Sequence, residues 1–224
     1  MFRYVWPMSS SEARPLRRDA ERNRHLIVAA ARELFAERGL EVSMDEIARH
    51  AGVGVGTVYR RFPDKELLID ALFDDRLETI VGIAAESLER EDPWEALAHF
   101  MERYVSVQAE DRGLRQLLYS SLHAEERVAR ARGRIKPITD ELLRRAHVAG
   151  ELRADATGTD IAVLQFMLSS VVDYTRDVDP DAWRRFLGIV LDGLRAGRNG
   201  PTSLEPGPLD DAAFEAVLKT WKSR

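Results

Sequence analysis

The 224-residue chain has no cysteine, four lysines and no long apolar run. Without cysteine, a disulfide framework, a thiolate zinc site and a cysteine nucleophile are excluded. No stretch approaches the roughly 20 consecutive apolar residues that a membrane-spanning helix needs. The opening residues, Met1 to Trp6, are too short and too interrupted for a secretion signal, so a cytoplasmic address is expected. Alternating apolar and polar residues are missing throughout, which argues against strands and for an all-α chain. The five histidines, His25, His50, His99, His123 and His147, show no metal-ligating spacing such as HExxH. No metal and no cofactor is therefore expected. The nearest thing to a catalytic cluster is Asp173, Asp177, Asp179 and Asp181. These acids bound a helix junction, where carboxylates commonly cap and solubilise, so no enzymatic activity is expected.

What is present is a large apolar fraction, 45%, enough for a substantial core, and an uneven charge. The overall net charge is −5. Residues 1–65 hold 12 Lys and Arg against 9 Asp and Glu, a net of +3, and the remaining 21 against 29 give −8. A mildly basic N-terminal part and an acidic body suit a chain that meets phosphate at one end only.

Residues 1–18, with Pro7, Ser9-Ser10-Ser11 and Pro15, carry no helical period and read as a disordered basic leader, in which Met8 is an alternative start. A helix follows. Leu26, Ile27, Ala30, Ala31, Leu34 and Phe35 recur at three- and four-residue steps, and Gly39 closes the helix as a left-handed cap. Ser43 and Glu46 form a capping box for a short helix to about Ala51, with Met44, Ile47 and Ala48 inward. Gly52 makes the turn, Val53 plugs the core, and a second short helix runs from Val55 to Phe62. Pro63-Asp64 breaks it, and Asp64 caps a long helix from Lys65 to about Leu88. After Glu91-Asp92-Pro93, helices are expected over 94–109, 114–122, 125–149, 157–175 and 180–196. Residues 197–208 read as a linker and 210–222 as an amphipathic tail helix.

Two short helices joined by a glycine turn and preceded by a longer one make a helix-turn-helix unit. The run from Ser43 to Glu66 resembles the DNA-binding signature of the TetR family. The resemblance is most specific at Ile47-Ala48, Ala51-Gly52-Val53, Gly56-Thr57-Val58-Tyr59, and Phe62 with Lys65-Glu66. It extends over roughly residues 22–72 and includes Ala30, Ala31, Leu34, Phe35 and Gly39. Its implications are a helix-turn-helix domain over 19–66, a helical ligand-binding and dimerisation domain over 67–196, and a linker with tail helix over 197–224. The chain would then be a homodimeric repressor that binds a palindromic operator in double-stranded DNA and is released by a small-molecule inducer. A ligand-independent or activating DNA-binding regulator, or a helical interaction protein with a vestigial head, stay open beside it.

Carried onto this sequence, the resemblance implies DNA contacts from Ser43, Val55, Gly56, Thr57, Tyr59, Arg60, Arg61 and Lys65. Gly56 lets backbone approach the sugar-phosphate chain, and Thr57 and Tyr59 offer hydroxyls to phosphate. Val55 and Thr57 can meet a thymine methyl, and Arg60 and Arg61 bring forked donors to a guanine edge or a phosphate. Lys65, in the first turn of the long helix, and Ser43 favour a phosphate. Arg17 and Arg18 are either a solvated arm or minor-groove contacts. Gly54 departs from the Ser or Thr that the family often has there, which removes one hydroxyl.

The helix from Thr157 is apolar nearly all round, so it must be covered on two sides: one by its own core and, as expected here, the other by a partner chain, the alternative being a fully central helix in a monomer. The dimer residues expected on it and on the following helix are Leu164, Leu168, Val172, Trp183, Leu187, Val190, Leu191 and Leu194. Pocket candidates are Met101, Tyr104, Tyr119, His123, Phe166, Ser170 and Tyr174: apolar or aromatic groups with a few polar handles, for each of which simple core packing is the default reading.

Overall fold

The structure is a computed structural model that describes residues 13–110, 124–175, 177–197 and 207–213. The described residues form helices and no strand; Leu152 and Arg195 make one isolated antiparallel bridge. The helices are α1 (Ala13–Arg38), α2 (Met44–His50), α3 (Val55–Arg61), α4 (Lys65–Leu88), α5 (Pro93–Glu110), α6 (Ala124–Val148), α7 (Gly158–Thr175) and α8 (Ala182–Leu194). The chain divides into two compact units, Met1–Leu72 and Phe73–Arg224.

In the first unit, α1 begins at Ala13, inside the stretch read as a disordered leader, and its backbone includes Arg17 and Arg18. Pro15 does not prevent this, because a proline in the first helical turn has no intrahelical N–H bond to lose. Ile27, Ala31, Leu34 and Phe35 face the core, while Leu26, expected there, is 40% exposed and Val28 is buried instead. Gly39 takes a φ of 71°, the left-handed conformation that ends α1, and a short 3-10 turn (Gly39–Glu41) follows.

Ser43 caps α2 as its pattern requires. Its Oγ accepts from the Glu46 N–H, and its own N–H donates to the Glu46 carboxylate at 2.9 Å. Met44, Ile47 and Ala48 turn inward, Gly52 (φ 67°) reverses the chain, and Val58 and Phe62 bury α3 against α1 and α2. Asp64 caps α4, accepting from the Leu67 N–H at 2.8 Å, and Leu68, Ile69 and Leu72 complete this core.

In the second unit, α5, α7 and α8 enclose Trp94, Leu97, Phe100, Met101, Leu168, Val172, Trp183 and Leu187. Asp92 caps α5 through the Glu95 N–H at 2.8 Å. Arg145 of α6 donates to the carbonyls of Leu88 and Arg90, both at 2.6 Å, which satisfies the C-terminal end of α4. Thr157 and Asp160 form the cap of α7, one residue later than the expected start. The Asp210 carboxylate accepts from the Ala213 N–H at 2.7 Å, so the tail begins helical where expected. The expected helix over 114–122, and the tail beyond residue 213, lie outside the described residues.

Candidate nucleic-acid interface and ligand cavity

The seven residues of α3 split cleanly by period. Val58 is wholly buried and, with Phe62, sets the inward side. Val55, Gly56, Tyr59, Arg60 and Arg61 consequently stand outward, and Thr57 is half-buried between the two sides. Tyr59 is 46% exposed although it is a large aromatic. Among the described residues, none pairs with the guanidinium groups of Arg60 and Arg61 or with the Tyr59 hydroxyl. A Cβ added at Gly56 would meet nothing within 4 Å, so packing inside the chain does not require glycine there.

The unit beneath this face is braced. Arg38 of α1 pairs with Glu46 of α2, and Glu33 lies 2.6 Å from the His50 ring nitrogen. The Ser43 N–H, the Arg38 guanidinium and the Ser43 hydroxyl together hold the Glu46 carboxyl at a pKa of about 2, against an ordinary 4.5.

The second unit contains a cavity of about 510 Å³, within the range of small-molecule sites. Phe73, Arg76, Leu77 and Ile80 of α4 form one wall, and Tyr104 and Gln108 of α5 another. Arg127, Ala131, Ile135 and Thr139 of α6, with Ile161, Gln165 and Phe166 of α7, form the rest. Pro208, Leu209, Asp210 and Asp211 close over one part. That segment is tied down: the Thr159 hydroxyl donates to the Leu209 carbonyl at 2.7 Å, and Arg132 pairs with Asp211 at 2.6 Å.

Both halves of the chain match known sequences. The profile of bacterial regulatory proteins of the tetR family matches residues 27–72, and that of the SbtR-like transcriptional regulator C-terminal domain matches 92–196. A crystallised TetR transcription regulatory protein of Mycobacterium vanbaalenii is 41% identical, with 81% of this chain and 100% of that one covered and a TM-score of 0.60. The chain belongs to the TetR family. A TetR regulator of Streptomyces coelicolor is 31% identical over 78% of this chain and 99% of its own, with a TM-score of 0.57. An HTH-type transcriptional regulator of Staphylococcus aureus (strain USA300) is 49% identical over 51 residues. That match spans 22% of this chain and 28% of the curated relative's length.

This TetR-family chain is thus a transcriptional regulator with a helix-turn-helix head. Not every residue assigned to its sites stands where the sequence suggested. Lys65 is the main correction in the head. Its ammonium turns inward, donating to the carbonyls of Leu40 and of Val42 (2.7 Å) and lying 5.4 Å from the centre of the Phe35 ring. Two carbonyls left over from the end of α1 and its 3-10 turn offer a better site than water, so Lys65 positions α4 instead of facing outward. Ser43 is exposed, but its hydroxyl serves the α2 cap. The side chains of Arg17 and Arg18 lie outside the described residues. Arg49, which no sequence argument singled out, is exposed and has no partner among the described residues; its signal was its place just past the buried Ile47-Ala48 pair.

In the second unit, Tyr104 and Phe166, of the expected pocket residues, line the cavity. Met101 does not: it is fully buried in the core. Ser170 is off the cavity, its hydroxyl donating to the Phe166 carbonyl at 3.0 Å, and Tyr174 is 89% exposed. Tyr119 and His123 lie outside the described residues. Arg76, Arg127 and Gln165 were missed. Each is buried; for Arg76 and Gln165 a polar residue among apolar neighbours was the available signal, whereas Arg127 lies in an Arg- and Glu-rich stretch that gave none.

The expected dimer residues also divide. Leu168, Val172, Trp183, Leu187 and Leu194 are buried in the chain's own core, with Leu164, Val190 and Leu191 packed beside them. The apolar residues left outward are Met167 and Tyr174 on α7 and Phe186 and Ile189 on α8, between 43% and 89% exposed. Both faces of α7 are apolar, so its period could not decide which one turns inward.

Proposed function

We propose that this regulator binds a palindromic operator as a homodimer, represses the adjoining gene in the cytoplasm, and is released when a small organic molecule occupies the cavity between α4, α5, α6 and α7. The observation that carries the DNA reading is the outward face of α3. A Tyr, two Arg and a glycine that needs no room inside the chain stand together there, over a core held by Val58 and Phe62. Exposed arginines with unused forked donors suit base edges and phosphates of a major groove.

The homodimer reading is supported by the apolar residues left uncovered on neighbouring helices α7 and α8: Met167, Tyr174, Phe186 and Ile189. A second copy offers the same patch, and two such patches cover one another about a twofold axis. The two half-sites of a palindrome are the matching feature on DNA.

The release reading is supported by the cavity and by α4. This helix supplies Leu68 and Leu72 to the core of the head and Phe73, Leu77 and Ile80 to the cavity wall. A ligand changes operator affinity only through a difference in its own affinity for the DNA-competent and incompetent states. The test is fluorescence anisotropy of an operator duplex titrated with full-length protein, with and without ligand. The expected result is a loss of affinity of tenfold or more at saturating ligand. A bound ligand that leaves operator affinity unchanged rules out release.

A further inference from the structure

The cavity wall is chemically lopsided. On α6 its lining residues Arg127, Ala131, Ile135 and Thr139 fall four apart, so they define a wall of roughly 18 Å at 1.5 Å per residue. One end of this wall is a guanidinium with no exposed surface, and Arg76 on α4, 9% exposed, borders the same cavity. Of the carboxylates of the lining, Asp140 stands toward the other end, one residue past Thr139. Asp140 pairs with Lys136 at 2.7 Å and Asp211 with Arg132 at 2.6 Å, while Asp210 caps the tail.

A third polar group points the same way. Gln165 is 6% exposed, borders the cavity, and its side-chain amide nitrogen has no hydrogen-bond partner. A buried amide N–H without an acceptor is costly, and on a cavity wall a bound molecule can supply that acceptor. Arg76 donates to the carbonyl of Val107, but a guanidinium has five N–H donors and keeps its charge at any ordinary pH. Between these groups the surface is apolar, formed by Ile135, Ile161 and Phe166.

We propose that the cavity takes a small organic carboxylate, its anionic head against Arg127 and Arg76, with Gln165 donating to an acceptor, and its apolar body along Ile135, Ile161 and Phe166. This rests on the reading of the cavity as the effector site and adds the chemical class of the effector. A hydrogen-bonded carboxylate on buried arginine is the strong, charge-assisted case, and the uncharged amide of the same shape forfeits it.

The test uses full-length protein and two matched probe pairs: octanoate with octanamide, and 4-phenylbutyrate with 4-phenylbutanamide. Calorimetric titration is run on the natural protein and on R127Q, R127K and Q165L, each checked for folding by circular dichroism. The expected result is that at least one carboxylate binds tenfold or more tightly than its amide. That gap closes in R127Q and persists in R127K, and Q165L weakens the carboxylate severalfold. Amides binding as well as carboxylates, or no binding by any probe, overturns the proposal, and the natural protein alone decides this if a variant does not fold. The outcomes separate the two readings. Selective carboxylate binding without any effect on operator affinity sinks the release reading and keeps this one. Operator release by the amides alone does the reverse.

Discussion

The ammonium group of Lys65 lies 2.7 Å from the carbonyl oxygen of Val42, and it bonds the carbonyl of Leu40 as well. It is a strut from the first turn of α4 to the connection between α1 and α2. Burial pushes its pKa down, opposed by Glu41, Glu66 and Glu46. Lys65→Met should lower the stability of the head by about 1 kcal/mol, as expected for lost hydrogen bonds on a part-exposed group. The salt dependence of operator binding should stay as it is in the natural protein. A phosphate ligand, by contrast, would take about 0.9 per protomer, about 1.8 for the dimer, from the slope of log affinity against log salt when removed. Urea unfolding and a salt series of binding isotherms separate the two.

Gly56 gives a sharper test of the outward face. Nothing lies within 4 Å of an added Cβ. Gly56→Ala should therefore leave the fold intact and raise stability by about 0.5–1 kcal/mol, the helix advantage of alanine over glycine. Operator affinity should fall all the same if, as proposed, the backbone at Gly56 is where α3 approaches the duplex. Thermal unfolding and binding isotherms are expected to move in opposite directions.

On the proposed reading, Arg60 and Tyr59 carry the chemistry of that face. Arg60→Ala should weaken operator binding by about 1–3 kcal/mol if it reads a base, with relaxed preference at one position of each half-site. Tyr59→Phe should weaken binding less and nearly uniformly across sequences, as loss of a phosphate contact does. Neither should alter the sedimentation of the free protein.

On α8, residues one position apart should behave differently. Phe186 is exposed and Leu187 is buried. If these residues form the proposed dimer face, Phe186→Asp, or Ile189→Asp, should give folded monomers at concentrations where the natural protein is expected to sediment as a dimer. Leu187→Ala should instead destabilise the fold by about 2–5 kcal/mol, the range for truncating a core leucine. Analytical ultracentrifugation with urea unfolding checks both.

Glu46 links the head to pH. Its folded pKa of about 2 lies below the ordinary 4.5, so its contribution is fully present above pH 4.5 and is lost as pH falls toward 2. Glu46→Gln should flatten the acid limb of the stability profile in that window and lower stability at neutral pH. A profile with the same acid limb in both proteins would show that the Ser43–Glu46–Arg38 group contributes nothing.

The helix-turn-helix was legible in the sequence because its boundaries are chemical signals. Ser43 with Glu46, Gly52, and Pro63 with Asp64 each admit few backbone conformations, and the apolar period between them is unambiguous. The start of α1 was not legible, since Pro15 reads as a breaker unless it is known to lie in a first turn. Nor was the orientation of Lys65. A lysine in the first turn of a helix suits an external phosphate as well as internal carbonyls, and only the course of residues 39–42 decides. In the second unit, α7 has two apolar faces, so the residues of the core and those left outward could not be told apart. The polar part of the cavity lining escaped for a related reason. Arg76, Arg127 and Gln165 are charged or polar groups that a search for apolar pocket linings passes over.

The central claim, that the outward face of α3 reads a duplex in two symmetric copies, is tested most directly by selecting bound DNA from a random duplex pool with the full-length protein. The account predicts enrichment of one sequence with two inverted half-sites. That enrichment should be abolished by Arg60→Ala together with Tyr59→Ala, with folding and sedimentation unchanged. Failure to retain any duplex at low ionic strength, or enrichment that the double substitution leaves intact, would contradict it.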